Sequence, residues 1–388
     1  MNQILYANHF IETKDYNYVK KSLQKKFITS GSFVDVFEKK ISKYLNCQYA
    51  VSCSSGTAAI HLSLIASNIK KGDVIIMPII NFIASLSISK LFQAKIFFAD
   101  VDSKSGQMTP EDLLNCINKN KLKRIKAVFT MYLGGCSENS VEFWKLKNKY
   151  KFILIEDACH AFGSSYIHNK KKYKIGSCAH SDMSIFSFHP AKTITTGEGG
   201  ALTTNNFKFF KKAKLARSHG ILRNNKKIHW SYSINNFGMN YRLSDINCAL
   251  GVSQIEKVRK ILKKRHAISK KYNIYLKKFS EFVSIPEYKF SNLSSNHLKI
   301  LIFNLKKLNC KKKDIFIFFK KRNIFLQYHY IPLYKFKIFK LQNNINYPKA
   351  EQFYKKAISF PIYYSLKESE IKYIFNCFSY FIEKYKIK

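Results

Sequence analysis

The chain has 388 residues, enough for two domains at roughly 100–200 residues each, and a core of that size needs neither disulfide nor metal staples. A hydrophobic content of 46% with 15% aromatics excludes wholesale disorder. Lys and Arg number 67 against 24 Asp and Glu, a formal charge of +43, but only seven of the bases are Arg, the residue that base-edge and bidentate phosphate recognition favours, so the excess reads as compositional drift and no nucleic-acid partner is expected.

From residue 1 to residue 250, short β-branched runs alternate with helical patterns. Strands are predicted at 49–53, 74–77, 95–100, 127–132 and 152–156, and helices at 57–66, 82–92, 110–117 and 141–150. Several of the strands are almost continuously apolar, as parallel strands covered on both faces are. Two further strands, 183–188 and 200–204, flank a glycine-rich turn. The pattern predicts an α/β domain with a mostly parallel sheet. From residue 251 to residue 388 the texture changes to a smaller α+β domain. One long helix is predicted from Ser244, its N-cap, to about residue 275. After it come strand-like pieces at 299–304 and 327–330 and helices at 312–322, 350–359 and 368–384.

Nine cysteines form no C-x-x-C pair and no Cys/His cluster at zinc spacing, so reduced thiols, a cytoplasmic location and no metal are expected. The uncharged stretch 74–89 holds Pro78 and Asn81 and is shorter than the roughly 20 residues a membrane-spanning helix needs, so no membrane association is expected.

Three features fall at strand ends, where open α/β sheets bind ligands. Ser54-Ser55-Gly56-Thr57 joins a strand to a helix, and free amides at a helix start beside a hydroxyl can seat a phosphate; an ordinary strand–helix turn has the same look. Asp157 ends a buried strand, where a carboxylate is costly unless it meets a cation such as a protonated pyridine nitrogen; a capping Asp is the alternative. Lys192 stands alone in the uncharged run Phe188-His189-Pro190-Ala191-Lys192-Thr193-Ile194-Thr195-Thr196, and a desolvated Lys can form a Schiff base with an aldehyde. His160, just after Asp157, and His329, in an aromatic run, are read equally well as structural or as cofactor-side histidines.

The order of phosphate seat, strand-end Asp and enclosed Lys is similar to that of fold-type I pyridoxal-phosphate enzymes. Over essentially its full length the chain resembles the DegT/DnrJ/EryC1/StrS family of sugar aminotransferases. The segments Pro78-Ile79-Ile80-Asn81-Phe82-Ile83-Ala84-Ser85 and Gly238-Met239-Asn240-Tyr241-Arg242-Leu243 carry the likeness. The resemblance implies a pyridoxal 5'-phosphate cofactor bound by Lys192, Gly56, Thr57, Phe82, Asp157, His160, Ser187 and Asn240. Lys192 would hold the cofactor and act as base, Asp157 would pair with the ring nitrogen, Phe82 would stack on the ring, and Ser187 would bind the phosphate. Asn240 would reach the partner subunit's cofactor phosphate, which implies a homodimer with shared active sites.

Arg217-Ser218-His219-Gly220, Ser294-Ser295-Asn296-His297-Leu298 and Gln327-Tyr328-His329-Tyr330-Ile331-Pro332 resemble the branch of the family that aminates C4 of a UDP-linked 4-keto-6-deoxy-N-acetylhexosamine with L-glutamate as donor. By that likeness Tyr6, Lys26, Phe27, Ile28, Thr29, Gly56, Ser187, Asn240, Gln327, Tyr328, His329 and Tyr330 would contact the nucleotide-sugar. Another nucleotide-4-ketosugar (bacillosamine-type or dTDP-linked) is the alternative substrate. From another class stands an inactive basic protein of the same fold that binds anions or nucleic acid.

Overall fold

The computed structural model describes residues 3–223, 230–234, 236–337 and 346–387. Two helices, α1 (Thr13–Leu23) and α2 (Ser32–Leu45), lead into β1 (Tyr49–Cys53), α3 (Gly56–Ala66), β2 (Val74–Pro78), α4 (Ile83–Leu91), β3 (Lys95–Ala99), α5 (Pro110–Lys119), β4 (Ala127–Met131), α6 (Ser140–Tyr150) and β5 (Ile153–Asp157). The hairpin of β6 (Ser165–His168) and β7 (Lys171–Lys174) precedes β8 (Met183–Ser187), β9 (Gly200–Thr204), α7 (Phe207–Arg217) and the short pair β10 (Ile221–Leu222) and β11 (Ser233–Ile234). The chain then forms α8 (Asp245–Glu256), α9 (Val258–Leu276), β12 (Val283–Ser284), β13 (Lys299–Phe303), α10 (Lys312–Lys320), α11 (Pro348–Lys356), β14 (Ala357–Phe360) and α12 (Glu368–Tyr385).

Seven strands form the main sheet in the order β1-β9-β8-β5-β4-β2-β3. Pairings from β8 through β5, β4 and β2 to β3 are parallel, and only β9 runs against its neighbours β8 and β1. The apolar runs explain this placement: every residue of β4 and β9 is buried, so both strands need cover on both faces. Because β1 and β8 are both antiparallel to β9, the carboxyl ends of β1, β2, β5 and β8 open on the same edge. That edge carries the site.

A separate core joins Ile268, Tyr272 and Leu276 of α9 to Leu301 and Phe303 of β13, Phe318 of α10, Phe360 of β14 and Phe378 of α12. The small antiparallel sheet β12-β13-β14 lies within it. Ile4 belongs to this core too, pairing with Ile324, so the chain's first residues cross over to the C-terminal part. Residue 250 falls inside α8.

The elements depart from expectation in three places. The long helix from Ser244 is two helices, α8 and α9, with the break at Lys257 (φ −96°, ψ −4°). Lys257 is buried there and pairs with Asp15 and Glu12, so an ion pair to α1 fixes the kink. The helix predicted over 350–359 ends at Lys356, and its last residues become β14. The pairing of Ala357–Phe360 with Lys299–Ile302 of β13 outweighs the helical continuation. Residues 327–330 make one bridge, Gln327 to Ser359, and no strand.

Candidate active site

A cavity of about 540 Å³ lies at the carboxyl edge of the main sheet. Gly56 and Thr57 enter it from the start of α3, Phe82 from the cap of α4, Asp157 from the end of β5, Ser187 from the end of β8, and Lys192 from the turn that follows. Tyr6 and the four residues Gln327, Tyr328, His329 and Tyr330 close the opposite wall.

The start of α3 is built as an anion seat. Ser55 is its N-cap, its hydroxyl accepting from the Ala58 N–H at 3.0 Å and its carbonyl from the Ala59 N–H at 3.1 Å. The N–H groups of Gly56 and Thr57 have no acceptor within the helix and lie on the cavity. Glycine is required at 56 by close approach, since a Cβ there would stand 2.9 Å from Ser187 Cβ.

Asp157 is 3% exposed. Burial pushes its carboxyl up, opposed by the Cys159 side chain and N–H and by the Lys192 charge. The Cys159 N–H donates to Oδ1 at 3.2 Å, so the capping reading is also correct. No cation forms a salt bridge with Asp157 among the described residues. Burial likewise lowers the Lys192 amine, with Cys159 and Asp157 opposing it. A buried carboxylate without a cation partner and an amine lowered by burial thus share one cavity.

Three histidines line the inner wall. His160 and His297 pack at a tilt of 43° with ring centroids 4.2 Å apart, and His329 stands edge-on to His160 at 6.0 Å. The Gly134 N–H lies 3.4 Å from His160 Nδ1, which puts the imidazole proton on Nε2, 2.8 Å from the Tyr330 hydroxyl. Burial and the neighbouring Lys192 charge lower all three, His329 to about 3, which favours the neutral imidazole. Two buried nitrogens on the cavity, Asn81 Nδ2 and His297 Nδ1, lack hydrogen-bond partners. His297 as a lining group was not singled out from the sequence; its signal is the lone His in the quoted Ser294–Leu298 motif.

Not every expected contact is made. Lys26, Phe27, Ile28, Thr29 and Asn240 lie outside this cavity on the surface of the same chain. Thr29 bridges to Ser244, and Asn240 bridges to Ser218. Phe27, Ile28, Trp230, Phe237 and Met239 are exposed around them, Phe237 to 95%. Among the described residues, no group of His, Cys, Asp and Glu is arranged to hold a metal, and no helix is long and apolar enough to cross a membrane. All nine cysteines are free.

The donor set fits pyridoxal 5'-phosphate on this structure's own terms. The amide seat at Gly56 and Thr57 suits the phosphate, the uncompensated Asp157 suits a protonated ring nitrogen, and the low-pKa amine of Lys192 suits the aldehyde.

Comparison with known proteins agrees with that fit. The model of the DegT/DnrJ/EryC1/StrS aminotransferase family matches residues 10–379. A Campylobacter jejuni protein named UDP-4-amino-4,6-dideoxy-N-acetyl-beta-L-altrosamine transaminase is 36% identical over 387 residues, 99% of this chain and 98% of the relative. The solved structure of Helicobacter pylori PseC, an aminotransferase involved in the biosynthesis of pseudoaminic acid, superposes with a TM-score of 0.90 at 29% identity and covers 99% of this chain and 100% of that one. The PLP form of a sugar aminotransferase from Streptococcus pneumoniae has a TM-score of 0.88 at 24% identity, with 98% and 99% covered, and bears on the fold alone.

Proposed function

The chain belongs to the DegT/DnrJ/EryC1/StrS aminotransferase family, and from that premise we propose that it transfers an amino group from L-glutamate to C4 of a UDP-linked 4-keto-6-deoxy-N-acetylhexosamine. The 4-amino-4,6-dideoxy sugar in the name of the Campylobacter relative supports amination at C4, and the Helicobacter structure's part in pseudoaminic acid biosynthesis supports the route; the glutamate donor is part of the proposal. The enzyme is a pyridoxal-phosphate-dependent sugar transaminase. The observation that carries the reading is the convergence of Lys192, Asp157 and the Gly56 amide seat on one cavity that is also walled by Tyr6 and His329.

When bound, the cofactor supplies an aldehyde and an electron-withdrawing ring, and the hard chemistry belongs to it. Asp157 holds a proton at the ring nitrogen, and that pairing offsets the burial cost its carboxylate bears alone. Gly56, Thr57 and Ser187 fix the phosphate, which sets the ring's position. Phe82, half exposed over the cavity, would cover one face of the ring. Burial lowers the Lys192 amine, which favours the neutral form that would attack an aldehyde. The same amine, on the cavity, would also be the base that moves the proton in the transfer. Burial lowers His160, His297 and His329, which makes each a weaker base than a free imidazole.

Lys26, Phe27, Ile28, Thr29 and Asn240 reach a second subunit's cavity in a homodimer, which accounts for their exposure beside an apolar surface. The free thiols suit a reducing compartment, and we place the enzyme in the cytoplasm. The test is incubation of the holoenzyme with L-glutamate and a panel of UDP-, dTDP- and GDP-linked 4-ketosugars, with NMR of the products. The 4-amino-4,6-dideoxy-N-acetyl-altrosamine nucleotide is expected from the UDP substrate. Amination confined to a dTDP or GDP sugar would overturn the substrate assignment and leave the aminotransferase intact.

A further inference from the structure

A second cavity, of about 250 Å³, lies behind the histidine wall between α9 and β13. His266, Ser269, Lys270 and Asn273 reach it from α9, and Lys299 and Ile300 from β13. Lys299 is 4% exposed. Its ammonium donates to Ser269 Oγ at 3.3 Å and to Asn273 Oδ1, with the Tyr272 ring 6.0 Å away. These partners are neutral. Two oxygens take two of the three N–H directions and leave the charge uncompensated, and a buried cation in that state is costly. No carboxylate lines the cavity. Glu138, two residues past Cys136, is turned to the backbone at Lys289 and Phe290.

We propose that this cavity binds a small carboxylate with an apolar tail, its charged end held by Lys299 and its tail against Ile285, Pro286 and Ile300. The other titratable groups facing Lys299 do not compete for the role. Burial pushes the Cys136 thiol and the Tyr288 phenol up and the His266 imidazole down, each toward its neutral form, while Lys270 is exposed at the mouth. Burial brings the Lys299 amine down to about 7, so it is poised to take up a proton when an anion arrives. The cavity shares a wall with the catalytic one. His297 lines the first and Lys299 the second, and the Gly134 carbonyl that accepts from the His297 N–H at 2.9 Å belongs to a residue whose own N–H meets His160.

The experiment is calorimetric titration of the holoenzyme at pH 7 with butyrate and, separately, with inorganic phosphate. Butyrate binding is expected in the millimolar range, tighter than phosphate, because phosphate has nothing to place against the apolar wall. Lys299→Met should weaken butyrate by about tenfold or more, the loss of one buried charge partner. Lys270→Glu, an exposed change that does not touch the core, should weaken it several-fold, and it decides the matter if Lys299→Met does not fold. Neither residue lines the catalytic cavity, so butyrate binding that neither variant alters reports the catalytic site and overturns the proposal. The absence of butyrate binding to the wild type at tens of millimolar overturns it equally.

Discussion

Replacing Asp157 by Asn separates two effects that a merely structural residue would not separate. The amide keeps an oxygen for the Cys159 N–H, so the turn after β5 survives. It removes a carboxylate that burial has pushed up from its ordinary value of 3.8. A carboxyl raised in the folded state stabilises the fold below its unfolded value, and that contribution is lost as pH rises through the folded value. At neutral pH the cofactor-free wild type therefore carries this cost and the Asn variant does not, so the variant's thermal midpoint should equal or exceed the wild type's. Activity moves the other way, because a neutral amide cannot hold a proton on the ring nitrogen. A loss of about 100-fold or more in kcat is expected, about 2.7 kcal/mol at ~1.36 kcal/mol per decade. Differential scanning calorimetry of the cofactor-free form and steady-state amination kinetics measure the two. Wild-type turnover in the variant, or a marked loss of stability without cofactor, would refute the assignment of Asp157 and leave it as a cap.

Gly56→Val places a side chain where even a Cβ would meet Ser187 Cβ at 2.9 Å, so cofactor affinity should fall tenfold or more by fluorescence titration; unchanged affinity would remove the seat from the site. Mixed dimers of a Lys192→Ala chain with an Asn240→Ala chain should regain activity by leaving one intact composite site, and no recovery despite demonstrated subunit exchange would contradict the shared-site proposal. Raising salt from 50 to 200 mM should increase KM for the nucleotide-sugar only several-fold through screening, with kcat nearly constant. Nucleic-acid binding at many phosphates would instead weaken about a thousandfold or more over that range; tight DNA binding at 150 mM salt without ketosugar turnover would favour a binding protein.

The parallel sheet was legible because its strands are apolar on both faces and end in turn chemistry, as at Tyr49–Cys53 before Ser54-Ser55-Gly56. Lys192 and Asp157 were legible for a related reason: charge is rare in those stretches, so each stood out. The elements that escaped are those whose pattern is masked by lysine. α1, α2 and α7 carry lysines through their exposed faces, and the β6–β7 hairpin reads Ser-Tyr-Ile-His and Lys-Lys-Tyr-Lys without clean alternation. The break at Lys257 and the strand at Ala357–Phe360 depend on partners far along the chain, Asp15 and Lys299–Ile302, which local periodicity does not register. The histidine wall was half legible. His160 and His329 sit in noticeable motifs, but the packing of His160 against His297 and its bond to Tyr330 exist only once β5, β13 and the 327–330 segment are brought together.

The measurement that bears most directly on the central claim is reduction of the purified holoenzyme with borohydride, followed by peptide mapping. The account predicts a yellow protein whose reduced cofactor adduct maps to Lys192, with Lys192→Ala inactive in turnover yet still able to bind cofactor through the separate seat at Gly56 and Ser187. An adduct on any other of the 60 lysines would contradict the assignment of every residue in the site.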